Sequence, residues 1–234
     1  MRLPDTFRVT VTSFGVKIFD PIEKRMMWLS KPTFSTLFMG AKSVEIPVIP
    51  RDCIRAKVID TGRGRRYAFA MAYKESRQKV IWRNYDSHDS PTTDTKYSTT
   101  EIPIPNSLWI VLTTDGRNDQ VQIYALKEFP VDPSKEFTVY HFPFPNSSAG
   151  MTCYGQNDFR KEKIEGLLPM FFSAPFTKEL IHSFIKKDGK NNFEDTWDLF
   201  RKLGKYETFP YSCLESAGTF NSNWRRLTKG ENDD

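Results

Sequence analysis

Near the middle of this chain the apolar residues change their period, and the change narrows the choice of fold. Leu108 to Leu112, a turn at Asp115-Gly116-Arg117-Asn118, and then Val121, Ile123 and Ala125 alternating with Gln and Tyr predict an antiparallel hairpin. Phe137 to His141 predicts a third strand. After Gly155 the spacing becomes helical: Phe159, Ile164, Leu167, Leu168, Phe171 and Phe172 share one face, Asn157 or Asp158 is placed to cap it, and Pro169 ends or kinks it. Thr177 can cap a second helix carrying Leu180, Ile181 and Phe184. Phe193, Trp197, Phe200 and Leu203 give a third, closed by Gly204. Strands first and helices after is the order of an α+β fold, an antiparallel β-meander followed by helices.

The flanking segments fit that order. Phe7, Val9 and Val11 alternate with Arg8, Thr10 and Thr12 and continue past Gly15 through Val16, Ile18 and Phe19, a half-buried hairpin. Pro32 to Met39 can hold a short helical turn. Val44 to Ile49, bracketed by Pro47 and Pro50, suits an edge strand or an irregular segment. The next turn reads Thr61-Gly62-Arg63-Gly64-Arg65-Arg66. It lacks the Gly-Lys-Ser/Thr of a phosphate loop and is either an anion contact or a solvated turn ahead of a strand at Tyr67 to Tyr73. Residues 84–100 are polar and rich in turn formers, a long mobile loop that includes His88. Residues 225–234 are expected to be a disordered polar tail. The division expected is therefore a β extension over 1–50, a core over 51–224 and that tail.

Composition removes several classes of function. At 234 residues with 38% hydrophobic and 14% aromatic content, the chain can bury a substantial core and has too much aromatic surface to stay disordered. No run approaches the roughly 18 apolar residues of a membrane span, and the N-terminus lacks an apolar signal core, so a cytoplasmic protein without membrane association is expected. The net charge of +5 is spread among interleaved acidic residues, so nucleic acid is not indicated as a partner. Cys53, Cys153 and Cys213 lie far apart with no Cys-x-x-Cys, which writes neither a disulfide framework nor a zinc site. His88, His141 and His182 are too few for a histidine-rich metal centre.

The chemistry concentrates in His141 to Gly155, where Pro143 and Pro145 stiffen the approach, Asn146 offers a side-chain amide and Cys153 follows. A cysteine in a short loop between a strand and a helix N-terminus gains exposure and nearby N–H dipoles that favour thiolate. The same residue type is also among the most buried, so a packed thiol is the competing reading. That reading suits Cys53 and Cys213, which stand in apolar or aromatic surroundings. Asn146 could donate to a developing oxyanion, a contribution of about 2.7–4 kcal/mol for a well-placed donor. His141 is either a structural residue pointing off a strand or a catalytic base.

Phe144-Pro145-Asn146 followed by Gly150-Met151-Thr152-Cys153 resembles the active segment of ubiquitin-conjugating enzymes, where His-Pro-Asn precedes a Gly-x-x-Cys that holds the thioester cysteine. The chain is most similar to the prokaryotic family D of that superfamily, typified by the B protein of PRTRC systems. Tyr124-Ala125-Leu126 at the hairpin end, Pro143 to Asn146, the Gly-x-x-Cys-x-Gly ending at Gly155, and Phe172 to Thr177 match its elements in order, the last with one extra residue between Ser173 and Phe176. Phe144 stands in place of the histidine, the Asn-to-Gly spacing is one residue shorter than in the eukaryotic enzymes, and no Trp-Pro-Pro element follows the cysteine.

The resemblance implies a ubiquitin-conjugating-enzyme-like core with an N-terminal β extension, in a bacterial, plasmid or mobile-element conjugation system. An adenylating activating enzyme would pass a ubiquitin-like protein onto Cys153, Asn146 would orient the loop or stabilise the oxyanion, and no metal or organic cofactor would be needed. Two other readings stay open. One is a catalytically inactive adaptor that binds a ubiquitin-like or activating-enzyme partner. The other is a Cys/His hydrolase pairing Cys153 with His141 or His182.

Overall fold

The computed structural model describes residues 8–11, 15–20, 25–31, 49–61, 64–83, 97–129, 135–148, 151–154, 157–177, 185–186 and 193–229. Among them the strands are β1 (Arg8–Val11), β2 (Val16–Asp20), β3 (Arg25–Leu29), β4 (Cys53–Thr61), β5 (Gly64–Tyr73), β6 (Ser76–Arg83), β7 (Tyr97–Ile104), β8 (Ser107–Thr114), β9 (Arg117–Ala125), β10 (Thr138–His141), β11 (Ser147–Ser148), β12 (Met151–Thr152) and β13 (Ser216–Thr219). The α-helices are α1 (Leu167–Ser173), α2 (Thr196–Lys202) and α3 (Phe220–Thr228). The architecture is a mixed fold of one large sheet with a few short helices.

The main sheet runs β1-β2-β3-β4-β5-β8-β9-β10-β13, and β6 and β7 pair separately. The hairpin predicted over Leu108 to Ala125 is β8–β9, in register from Ser107↔Ala125 to Thr114↔Arg117 with a bulge between Leu112 and Thr113. Asp115 (φ 50°) and Gly116 (φ 74°) make its turn, where left-handed backbone is tolerated best by Asp, Asn and Gly. The strand predicted at Tyr67 to Tyr73 lies within β5, and the hairpin predicted near the start is β1–β2. Both faces of the sheet are covered. One carries an aromatic core in which Trp109, Phe142, Phe144, Phe171, Phe176 and Phe200 are almost wholly buried. The other, lined by Ala68, Ala70 and Ala72, receives Phe220 and Trp224 of α3; the alanines leave room for those rings.

Four expectations need correction. The single helix read from Asn157 or Asp158 onward is instead two 3-10 turns, Phe159–Lys161 and Ile164–Gly166, followed by α1. Its would-be helical donors and acceptors are diverted. The Asn118 side chain donates to the carbonyls of both Phe159 and Glu162 at 2.8 Å, and the Lys163 amide donates to the Glu162 carboxylate at 2.9 Å. Pro169 neither ends nor kinks α1, because it occupies the first turn, where an N–H would have no intrahelical partner anyway. Tyr97 to Thr100, read as part of a polar loop over 84–100, instead open β7 opposite Arg83 to Val80, and residues 84–96 lie outside the described residues. Arg225 to Thr228, read as part of a disordered tail, instead complete α3, because Trp224 and Thr228, four residues apart, share its buried face.

The third predicted helix is α2, capped by Asp195 and continued as a 3-10 turn through Gly204. The readings at Pro32 to Met39, Val44 to Val48 and the second predicted helix at Leu180 to Phe184 lie outside the described residues, as do His88, His182, Ala149, Gly150 and Gly155. Among the described residues no helix is long and apolar enough to cross a membrane, and no group of three or more His, Cys, Asp or Glu side chains could hold a metal ion.

Candidate functional site

Strand β9 builds the site. Along one edge it pairs with β8 throughout. Along the other it pairs with β10 at Tyr124 and Ala125, and then, where β10 has departed, with β12 through Met151↔Gln122. The chain leaves β10 at His141, dives through Phe142 to Asn146, and returns as the small hairpin β11–β12 (Ser147↔Thr152, Ser148↔Met151). Thr152 Oγ1 adds a 3.3 Å bond to the Val121 carbonyl. Cys153 follows directly, and its amide donates to the Asn146 carbonyl at 2.7 Å, closing the hairpin's base. The two residues singled out in the sequence are thereby joined by a main-chain hydrogen bond across six intervening residues.

The approach to the loop is core, and the aromatic rings explain it. Phe142 and Phe144 contact each other at 4.9 Å and engage Phe171, Phe172, Phe176, Phe200 and Phe209. Pro143 and Pro145 are buried with them. This anchoring pulls Asn146 inward to 3% exposure, with its backbone in the left-handed region at φ 64°, which asparagine tolerates better than most residues. Its Nδ2 donates to the Pro175 carbonyl at 3.2 Å, while Oδ1 is buried without a hydrogen-bond partner among the described residues. Asn146 thus ties the loop to the Phe172 to Thr177 segment.

The three thiols separate by environment. Cys53 is buried, donates to the Arg55 carbonyl at 3.1 Å, and burial pushes its pKa up to about 12. Cys213 is fully buried and likewise pushed up to about 12. Cys153 is half-buried and in contact with solvent. Among the three thiols that of Cys153 is the one in reach of an incoming acyl group, while burial strongly disfavours the attacking thiolate at the other two. Help from a helix N-terminus, expected from the sequence, is confined to the short 3-10 turn that Asp158 caps, since α1 begins only at Leu167.

His141 is half-buried at the end of β10, where its amide donates to the Glu215 carbonyl at 3.0 Å. Burial holds its imidazole below the ordinary histidine range, with the Glu215 carboxylate partly offsetting that effect. Three residues at the site escaped the sequence reading. Tyr154 stacks on Phe159 at 5.1 Å and 19° beside the cysteine, Gln122 supplies the backbone that holds β12, and Asn118 clamps the segment beyond. Only Asn118 left a trace, as a turn former two residues after Gly116.

The match of this chain to a family model makes it an E2-like protein. A family model described as Prokaryotic E2 family D matches residues 48–217, and the chain belongs to that family. Neither the curated proteins nor the solved structures compared with it gave a match.

Proposed function

We propose that this protein carries a ubiquitin-like protein as a thioester on Cys153 within a bacterial or mobile-element conjugation system of the PRTRC type, acting in the cytoplasm. The observation that carries the reading is the exposure of one thiol among three: Cys153 reaches solvent while Cys53 and Cys213 are buried. The reading is supported by the resemblance of Gly150-Met151-Thr152-Cys153 to the Gly-x-x-Cys that holds the thioester in ubiquitin-conjugating enzymes. Residues 1–50 are an extension added to the core that follows.

In the transfer step, Cys153 Sγ attacks the thioester carbonyl on the activating enzyme. The new C–S bond forms, the old one breaks, and the activating enzyme's thiol leaves with the proton that Cys153 gives up. Adenylation on the activating enzyme supplies the energy held in the acyl bond. Rigid anchoring of the hairpin by Phe142, Phe144 and β9 holds the sulfur in place and limits the ordering required on docking.

Mixing the protein with its cognate activating enzyme, ATP and ubiquitin-like partner should give a reductant-sensitive adduct. Cys153→Ser should give a reductant-resistant ester, and Cys153→Ala none. A wild type that never forms the adduct overturns the reading. A second reading, an inactive adaptor for the same partners, is favoured by two observations: the Asn146 amide is already engaged by Pro175, and Phe144 fills the core where the superfamily pattern has a histidine.

A further inference from the structure

Asn118 is 2% exposed at the start of β9, yet both of its side-chain contacts leave its own strand pair: Nδ2 donates at 2.8 Å to the Phe159 carbonyl and at 2.8 Å to the Glu162 carbonyl. A buried amide with both donor bonds directed at one neighbouring segment fixes that segment, because breaking either bond strands a buried polar group. The clamped carbonyl of Phe159 is the end of a short chain of bonds that starts next to Cys153. The Asn157 amide donates to the Tyr154 carbonyl at 3.1 Å, and the Phe159 amide donates to the Asn157 carbonyl at 3.1 Å. The Tyr154 and Phe159 rings lie nearly parallel at 5.1 Å, and Tyr154 is buried against Phe171. On the other side of the cysteine, Met151 and Thr152 are held by Gln122 and Val121 of the same strand.

We infer that Asn118 is a positioning residue for Cys153, through Phe159 and Tyr154, so that β9 secures the cysteine from both sides. This rests on the thioester reading only for its enzymatic consequence; the restraint on the thiol stands without it. With the clamp removed, the segment after Cys153 loosens. The thiol then becomes more accessible to a small reagent and less well placed for a protein-bound thioester, so two rates move in opposite directions.

The test compares wild type with Asn118→Ala, with Asn118→Asp, which keeps the shape and loses the donors, and with Phe159→Leu, which keeps the clamp and removes the ring stack. Alkylation of the intact protein by iodoacetamide is followed at each cysteine by peptide mass spectrometry, alongside thioester loading. The expected result is a rise of about threefold or more at Cys153 with Cys53 and Cys213 still protected, and a fall of about tenfold in the loading rate at saturating activating enzyme. Alkylation at Cys153 within twofold of wild type in both Asn118 variants overturns the inference whatever Phe159→Leu does, as does a rise shared equally by Cys53 and Cys213, which marks general unfolding. If wild type fails to load at all, the thioester reading falls while the alkylation result still decides the positioning role.

Discussion

The ring of Phe144 meets that of Phe200 edge-on, with centroids 6.0 Å apart and planes at 88°. The residue that replaces the histidine of the wider superfamily therefore belongs to an aromatic core at 1% exposure. Phe144→Ala should destabilise the protein by about 3–5 kcal/mol, the range for deleting a buried phenylalanine. Phe144→His, which restores the superfamily residue, should also destabilise it by placing an imidazole among hydrocarbon. Urea unfolding followed by tryptophan fluorescence measures both, and a loss below about 1 kcal/mol in the alanine variant would contradict the packing described.

Thiol counting under native conditions gives the second test. At pH 8 a slow alkylating reagent should modify Cys153, leaving Cys53 and Cys213 unmodified until denaturant is added, since burial disfavours their thiolates. Native modification of either buried thiol at a rate near that of Cys153 would be the contrary outcome.

Asn146 has two separable features, a left-handed backbone and an amide bonded to Pro175. Asn146→Gly keeps the first without strain, whereas Asn146→Ala gives up both, so the glycine variant should be the more stable by up to about 1 kcal/mol. Loading rates then separate its roles. An Asn146 that matters only for its left-handed backbone predicts near wild-type loading for the glycine variant, while a role for the amide predicts a fall in both, by about 100-fold or more where it is an oxyanion donor.

Acid sensitivity should trace in part to His141. Burial lowers its folded-state pKa beneath the unfolded value of about 6.5, so the unfolded chain takes up the proton first as pH falls. Stability should therefore be unaffected by this group above that value and decline as pH drops through it towards the folded pKa. His141→Gln should flatten that part of a stability-versus-pH curve measured by thermal melts; an unchanged slope would remove His141 as the cause.

The start of α2 is a reciprocal cap. Asp195 Oδ1 accepts from the Asp198 amide at 2.7 Å, and Asp198 Oδ2 accepts from the Glu194 amide at 3.1 Å and from Lys202 Nζ at 2.7 Å. Asp195→Ala should cost about 1 kcal/mol, read as a lowered melting temperature, with Asp195→Ser largely neutral.

Alternation made the β8–β9 hairpin legible in the sequence, and the Asn-to-Cys spacing made the candidate loop legible. Both are local signals. The broken helix after Cys153 was not legible, because the group that diverts its carbonyls, Asn118, lies 41 residues before Phe159 and looks in sequence like an ordinary turn residue. The same holds for the docking of β12 on the sheet, which depends on the edge that Gln122 offers 29 residues before Met151. Propensity reads neighbours along the chain, and these contacts join positions far apart in it. The burial of Phe144 and Asn146 was likewise hidden, since an aromatic residue between two prolines suits an exposed loop as well as a core.

One joint in the sheet has a wider meaning. Strand β3 lies parallel to β4 through Trp28↔Arg55 and Leu29↔Ala56, so the residues that precede the family match at 48–217 occupy the rim that β4 would otherwise present. An open strand rim recruits other chains and seeds aggregates. The N-terminal strands thus move the sheet's border outward from β4 to β1, at the opposite end of the strand order from the cysteine hairpin on β9.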